Sequence, residues 1–266
     1  MGKSRNKRSR STRSLASHVV AIANQKGGSG KTTTAVNLAA AFVELGKHVL
    51  LIDCDQQANA TRWLGCNENE SDLLEVFTDK RPLDEIIQTT DSGIDVVPSS
   101  THLAGIDRAM ANELGCEMIL RKAIAKLPNK WDLILLDCPP ALGLMTASAL
   151  VASQRVLVPV EAKALGLEGL ASLMMTIETV ADRLNPDIQL DAILPCIVDR
   201  RTRLATEVIG ALRKRLGRKV LKSEIGVNIR LAEAFSHRLP ITSYASSSAG
   251  AADYRQAAME LAKRWR

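Results

Sequence analysis

Three features of this 266-residue chain predict a doubly wound α/β domain, a mostly parallel sheet with helices on both faces. Short apolar runs recur along it, separated by stretches with helical spacing. The runs are apolar at successive positions rather than alternating, as in strands covered on both faces. Glycines stand where helices should end. A hydrophobic content of 46% suffices for one sizeable core, and with aromatics at 3% aliphatic side chains and alanine must build it.

The elements follow in order. Val19-Val20-Ala21-Ile22-Ala23 is the first strand, and residues 33–45 form a helix that Gly46 closes. Residues 48–53 (HVLLID) are the second strand. Residues 65–91 are polar and irregular, apart from a short helix near 72–77. Strands are predicted at 94–97, 131–137 (WDLILLD), 155–160 (RVLVPV) and 190–198. Helices are predicted at 103–127, 167–184, 203–216 with Gly217 as its cap, and 249–265. No internal repeat or second domain is evident. Residues 18–266 therefore read as one domain behind a tail, residues 1–17.

No apolar run reaches the roughly 18 residues of a membrane span. The five cysteines contain no C-x-x-C, which argues against a disulfide framework or zinc ribbon and for reduced thiols in a cytoplasm. Cys138 reads as a small buried residue. The net charge of +6 comes from the tail, where Lys3, Arg5, Lys7, Arg8, Arg10 and Arg13 meet no acidic residue. Beyond it, 29 basic residues face 29 acidic ones. The tail has no hydrophobic periodicity and reads as a disordered, solvated segment with weak attraction to nucleic acid. Residues 196–230 carry ten basic side chains against three acidic ones, either a solvated face or a phosphate-backbone surface.

Between the first strand and its helix lies Lys26-Gly27-Gly28-Ser29-Gly30-Lys31-Thr32-Thr33. A strand feeding a glycine-rich turn into a helix N-terminus aims backbone N–H groups and the helix dipole at one point, where a polyphosphate binds. Such a P-loop assigns Lys31 to the β/γ-phosphates and the Thr32 hydroxyl to Mg²⁺. Gln25 replaces the usual first glycine. Lys26 sits too far upstream to duplicate Lys31, so its charge needs another partner, and a nucleotide held by a second subunit is the expected one.

Acidic residues end two strands, at Asp53-Cys54-Asp55 and at Asp137. Aspartate after a strand is also a common cap or turn residue. In a chain with a P-loop, though, Asp137 is the Walker-B-type candidate for magnesium, through water. Asp55 is placed to reach a water in line with the γ-phosphate, and Asp53 to support the magnesium shell.

KGGSGKTT, LLIDCDQQANAT (50–61) and WDLILLDCPPALGLMTASAL (131–150) together resemble the ParA/Soj partition ATPases, the deviant-Walker-A P-loop group. VLVPVEAKALGLEGL (156–170), the stretch around 199–204 and VNIRLAEAFSHRLPI (227–241) extend the likeness to about residues 18–266. The resemblance implies a P-loop NTPase fold, ATP and Mg²⁺ as cofactors, and an ATP-bound homodimer. In it Lys26 is the signature lysine that reaches across the dimer. Gly27, Gly28, Ser29, Gly30, Lys31, Thr32 and Thr33 form the phosphate and metal loop. Lys26, Lys31 and Asp55 carry catalysis; Thr32, Asp53 and Asp137 serve the metal. Arg230 falls in a segment for sequence-independent binding of double-stranded DNA. Arg200, Arg201 and Arg203 lie in a loop that joins it, and Lys219 and Lys222 complete the candidate surface.

The activity implied is slow ATP hydrolysis, stimulated by a ParB-type centromere-binding protein, in plasmid or chromosome partition on the nucleoid. Ser29 stands where the family usually has valine, and Asp55-Gln56-Gln57-Ala58-Asn59 where it has D-P-Q-G-N. A MinD-like membrane-associated role would use the last segment as an amphipathic anchor, but the family pattern places an ordinary packed helix there. Positioning of a protein cargo is a further alternative. A non-enzymatic scaffold would leave Asp55 idle.

Overall fold

The structure, a computed structural model, describes residues 18–68, 70–163 and 168–265. The tail 1–17 and the predicted helix start at 167 lie outside the described residues. Seven strands among the described residues form one sheet: β1 (His18–Ile22), β2 (Val49–Asp53), β3 (Gln88–Thr89), β4 (Asp95–Val97), β5 (Leu133–Asp137), β6 (Arg155–Glu161) and β7 (Gln189–Cys196). Their order is β3-β4-β2-β5-β1-β6-β7, and only the edge pair β3–β4 is antiparallel. The doubly wound, mostly parallel sheet is the predicted one, with a strand added: β3 lies in the stretch 65–91 that reads as irregular.

Helices fill the connections. α1 (Lys31–Glu44) follows β1, while α2 (Asn59–Trp63) and α3 (Leu73–Thr78) follow β2. α4 (Ile106–Ala109) and α5 (Ile119–Ile124) lie between β4 and β5; α6 (Leu144–Ala152) and α7 (Glu168–Arg183) follow β5 and β6. α8 (Arg203–Leu216), α9 (Ile229–Ser236), α10 (Ile241–Tyr244) and α11 (Ala249–Arg264) complete the chain. Successive side chains of each strand point to opposite layers. Val19 and Ala21 of β1 join one core with Leu173 and Ile177 of α7, while Val20 and Ile22 join another with α1 and α11. Two covered faces explain why the strands are apolar without alternation.

Glycine punctuation holds at the predicted ends: Gly46 after α1 has φ +76° and Gly217 after α8 has φ +56°. The predicted helix 103–127 does not form as one element. It breaks into a 3₁₀ turn (Thr101–Gly105), α4, a second 3₁₀ turn (Cys116–Met118) and α5. Gly115, at φ +71° before that second turn, redirects the chain in a conformation glycine adopts without steric cost. The sequence reading left α9 and α10 unassigned, although Asn228 accepts a hydrogen bond from the Arg230 N–H as the cap of α9.

α11 lies against α1, with Trp265 stacked on Phe42 at 5.6 Å and its indole N–H donating to Asp191 at 2.8 Å. The last segment is thus the ordinary packed helix expected from the family pattern. Among the described residues no helix is long and apolar enough to cross a membrane.

β1 sits between β5 and β6, and the carboxyl ends of β1, β2 and β5 meet in register, Ile22 beside Asp137 and Asp53 beside Asp137. Open α/β sheets bind ligands beyond such strand ends.

Candidate functional site

The loop from β1 to α1 carries the predicted phosphate-binding residues. Gly28 (φ +71°) and Gly30 (φ +89°) hold left-handed conformations that side chains disfavour, and Gly30 leads directly into α1. No side chain caps that helix end and no acidic residue occupies its first turn. The orphan N–H groups of the first turn are left for a ligand, at the positive end of the dipole. Asn24 anchors the loop: its Nδ2 donates to the Pro159 carbonyl at 2.7 Å, and its Oδ1 accepts from the Lys26 N–H at 3.0 Å. Ser29 is fully buried, and its hydroxyl has no hydrogen-bond partner among the described residues. That environment suits the valine usual at this position.

Lys31 is buried, its Nζ donating to the Lys26 carbonyl at 3.2 Å. Burial lowers its pKa, while Asp137 and Asp55 act in the opposite direction. Within the single chain the charge of Lys26 already has a partner: its Nζ lies 2.6 Å from Glu161 Oε2, at the end of β6. Lys163 holds the other oxygen of Glu161, also at 2.6 Å. The two ammonium groups, Lys163 foremost, keep the Glu161 carboxyl below its ordinary pKa.

The two strand-end carboxylates are fully buried side by side but in different states. Asp53 accepts from the Asp55 N–H (3.1 Å), the Thr61 N–H (2.9 Å) and the Thr61 hydroxyl (2.7 Å). Burial pushes its pKa up to about 6 against those bonds. The structure therefore turns Asp53 toward the loop after β2, a use the sequence reading did not foresee. Neither oxygen of Asp137 receives a hydrogen bond of normal geometry. Burial, then the neighbouring Asp53, pushes Asp137 well above the usual carboxylate range, opposed by the Thr32 hydroxyl and Lys31. A bare buried carboxylate beside a hydroxyl fits a hard divalent cation that completes its shell with phosphate and water. Among the described residues no cluster of three or more His, Cys, Asp or Glu could hold a metal unaided. Asp55, also buried, accepts from the Gln57 N–H at 3.0 Å.

A cleft of about 550 Å³ opens beside the loop. Gly28, Gly30, Thr32 and Thr33 form one wall, and Trp63, Ile225, Leu231 and Phe235 are among the apolar residues opposite.

The predicted DNA residues divide in two. Parallel bridges between Val198 and Gly226 and between Ile193 and Val220 carry the segment after α8 along β7, toward the site. Arg200, Arg201, Arg203 and Arg230 therefore share that end of the molecule. Lys219 follows the opposite end of α8, about 20 Å from its start at 1.5 Å per residue. Lys222 instead lies on the returning segment, two residues before Glu224, whose carbonyl accepts from Arg200 at 2.9 Å. Three of the four arginines are ion-paired: Arg200 with Asp253 (2.9 Å), Arg201 with Asp199 (2.9 Å) and Arg230 with Glu233 (2.7 Å).

Sequence reasoning missed the contacts of Asn24, Thr61 and Glu161. For Thr61 the quoted motif was a signal; Glu161 gave only its place at a strand end.

A family model described as "AAA domain" matches residues 17–190. The sporulation initiation inhibitor protein Soj of Bacillus subtilis is 40% identical over 247 residues, 92% of this chain and 98% of Soj. The chromosome-partitioning ATPase Soj of Thermus thermophilus is 42% identical over 245 residues, 92% of this chain and 95% of its own. Among solved structures, cobyrinic acid a,c-diamide synthase of Mycobacterium smegmatis, with bound ATP analogue and magnesium, superimposes with a TM-score of 0.83 at 32% identity. That match covers 94% of this chain and 96% of the synthase.

Proposed function

The chain belongs to the ParA/Soj family of P-loop ATPases, and from that premise we propose that it is a partition ATPase that dimerises around ATP and Mg²⁺ and, as a dimer, binds duplex DNA without sequence preference. The observation that carries this reading is the bare Asp137 carboxylate, fully buried beside the Thr32 hydroxyl and Lys31 at the mouth of a left-handed glycine loop. Those groups suit a triphosphate and its cation, whose charge would favour the ionised carboxylate that burial disfavours.

In the proposed cycle the N–H groups of residues 27–33 cradle the phosphates, and Lys31 faces the β/γ oxygens. Thr32 and Asp137 would hold Mg²⁺, which would supply positive charge against the phosphates. Asp55 aligns the attacking water, and Asp53 holds the Asp55 backbone by accepting its N–H. Catalysis is positioning and electrostatics. Lys26 exchanges Glu161 for the triphosphate of the partner subunit. Two subunits then bring Arg200, Arg201, Arg203 and Arg230 to one side twice over, and DNA binding becomes conditional on nucleotide. A ParB-type protein accelerates hydrolysis, which dissolves the dimer and releases the nucleoid. One domain, residues 18–266, performs this cycle, and the tail adds weak attraction to DNA. The packing of Trp265 on Phe42 favours this role over a MinD-like membrane anchor.

The test is sedimentation of wild type and Lys26→Ala with a non-hydrolysable ATP analogue and magnesium. Wild type dimerises and the variant, still binding nucleotide, stays monomeric. A monomeric wild type, or a dimeric variant, refutes the reading.

A further inference from the structure

We infer that Ser99 and Thr61 are positioning residues for hydrolysis, which fix the backbone of Asp55 from outside the loop that carries it. The inference rests on the reading of Asp55 as the group that aligns water. Both ends of the Asp55 backbone are held. Its N–H donates to Asp53, and its carbonyl accepts from the Ser99 hydroxyl at 2.7 Å and from the Ala58 N–H at 2.9 Å. The ring closes through Thr61, whose N–H and hydroxyl donate to Asp53 while its oxygen accepts from the Ser99 N–H at 2.9 Å. Asp53, Thr61 and Ser99 are fully buried and Asp55 nearly so, so water does not compete for these bonds.

The chain's own departures explain why a clamp is needed. The family's D-P-Q-G-N would stiffen this loop with proline and turn it with glycine. Here Gln56 replaces the proline, and Ala58 sits at φ +50°, ψ +33°, a left-handed conformation that its Cβ disfavours. Such a conformation persists only where the surroundings over-determine it. The ring of Asp53, Thr61 and Ser99 does so, and it grips main-chain atoms while Asp55 Oδ2, among the described residues, receives no hydrogen bond. The free oxygen is the one available to a water.

The test is single-turnover ATP hydrolysis by the full chain with duplex DNA and magnesium, beside ATP affinity and ATP-dependent dimerisation. Ser99→Ala lowers the hydrolysis rate about tenfold or more, as expected for a displaced catalytic group, with affinity and dimerisation unchanged. Hydrolysis at the wild-type rate overturns the inference, as does a fall in ATP affinity that matches the fall in rate, since the hydroxyl then supports only the fold. If Ser99→Ala does not fold, Thr61→Ser and Thr61→Val decide: serine keeps the ring and the rate, valine breaks both, and equal rates overturn the inference. Asp55→Ala is measured alongside. If it hydrolyses normally, the reading of Asp55 fails; if it is inactive while Ser99→Ala is not, only the clamp fails.

Discussion

Replacing Glu161 with glutamine removes the charge that holds Lys26 within its own subunit. The pair is short, 2.6 Å, with side chains 32% and 11% exposed, so solvent screens it only in part. A charge-assisted bond of this kind is worth about 1–2 kcal/mol net. Lys163 stays on the other carboxylate oxygen when Lys26 leaves, so Glu161 is not stranded and the cost of exchange falls near about 1 kcal/mol. A two-fold dimer breaks two such pairs, so the constraint totals about 2 kcal/mol, or about 30-fold in the dimer dissociation constant. Glu161→Gln should therefore tighten dimerisation about 30-fold. The assay is a protein-concentration series by sedimentation velocity, with a non-hydrolysable ATP analogue and magnesium so that turnover does not intervene. Lys163→Ala is the opposite control: it leaves Glu161 to Lys26 alone and weakens the dimer. Unchanged or weaker dimerisation of Glu161→Gln refutes the exchange.

Two further outcomes are expected. Asp137→Asn should raise the melting temperature of the nucleotide-free protein at pH 8, by about 1 kcal/mol of stability, because a buried carboxylate without good hydrogen bonds is replaced by a neutral amide. The same variant should lose the stabilisation that Mg·ATP confers on wild type; a lower melting temperature without nucleotide contradicts the account of Asp137. For DNA, Arg203→Ala and Arg230→Ala should each weaken ATP-dependent binding to all duplex sequences alike and reduce the salt slope by about one per subunit. Glu233→Gln, which frees Arg230, should strengthen binding, and Lys219→Ala should leave it unaltered; a salt titration in which that lysine dominates overturns the division of the basic surface.

What is legible in the sequence is what local rules write. The glycine loop, the strand-end aspartates and the bounds of α8 rest on spacings within one or two turns of chain, and the structure reproduces them. The helix predicted over 103–127 fails because apolar periodicity outweighed Gly105 and Gly115, of which Gly115 takes a left-handed turn. Lys26 and Glu161 are 135 positions apart, and Ser99 lies 44 from Asp55, so only the strand order β2-β5-β1-β6 and the chain's return after β4 bring them together. The basic run 196–230 looks continuous because sequence does not register the length of α8, which carries its middle, around Lys219, away from Arg200 and Arg230.

The features that local rules do not explain converge on one place. An exposed aspartate at a strand end is ordinary, whereas Asp137 is buried without good hydrogen bonds; Ala58 occupies a backbone region that suits glycine; Lys26 is tied to a carboxylate rather than solvated. Asp137 and Ala58 cost stability in the free protein, whereas the Lys26–Glu161 pair holds Lys26 within its own subunit. A fold selected for stability alone would place valine or asparagine at 137 and glycine at 58. Backbone strain and a buried carboxylate without good hydrogen bonds, gathered at one strand-end crevice, are what a ligand-loaded switch requires. The free protein is held short of its working state, and a triphosphate with its cation supplies what Asp137 lacks and draws Lys26 from Glu161. Mg·ATP must therefore stabilise wild type less than Glu161→Gln, which dimerises without breaking the internal pair, and more than Asp137→Asn; equal gains in melting temperature would break the link between strain and function.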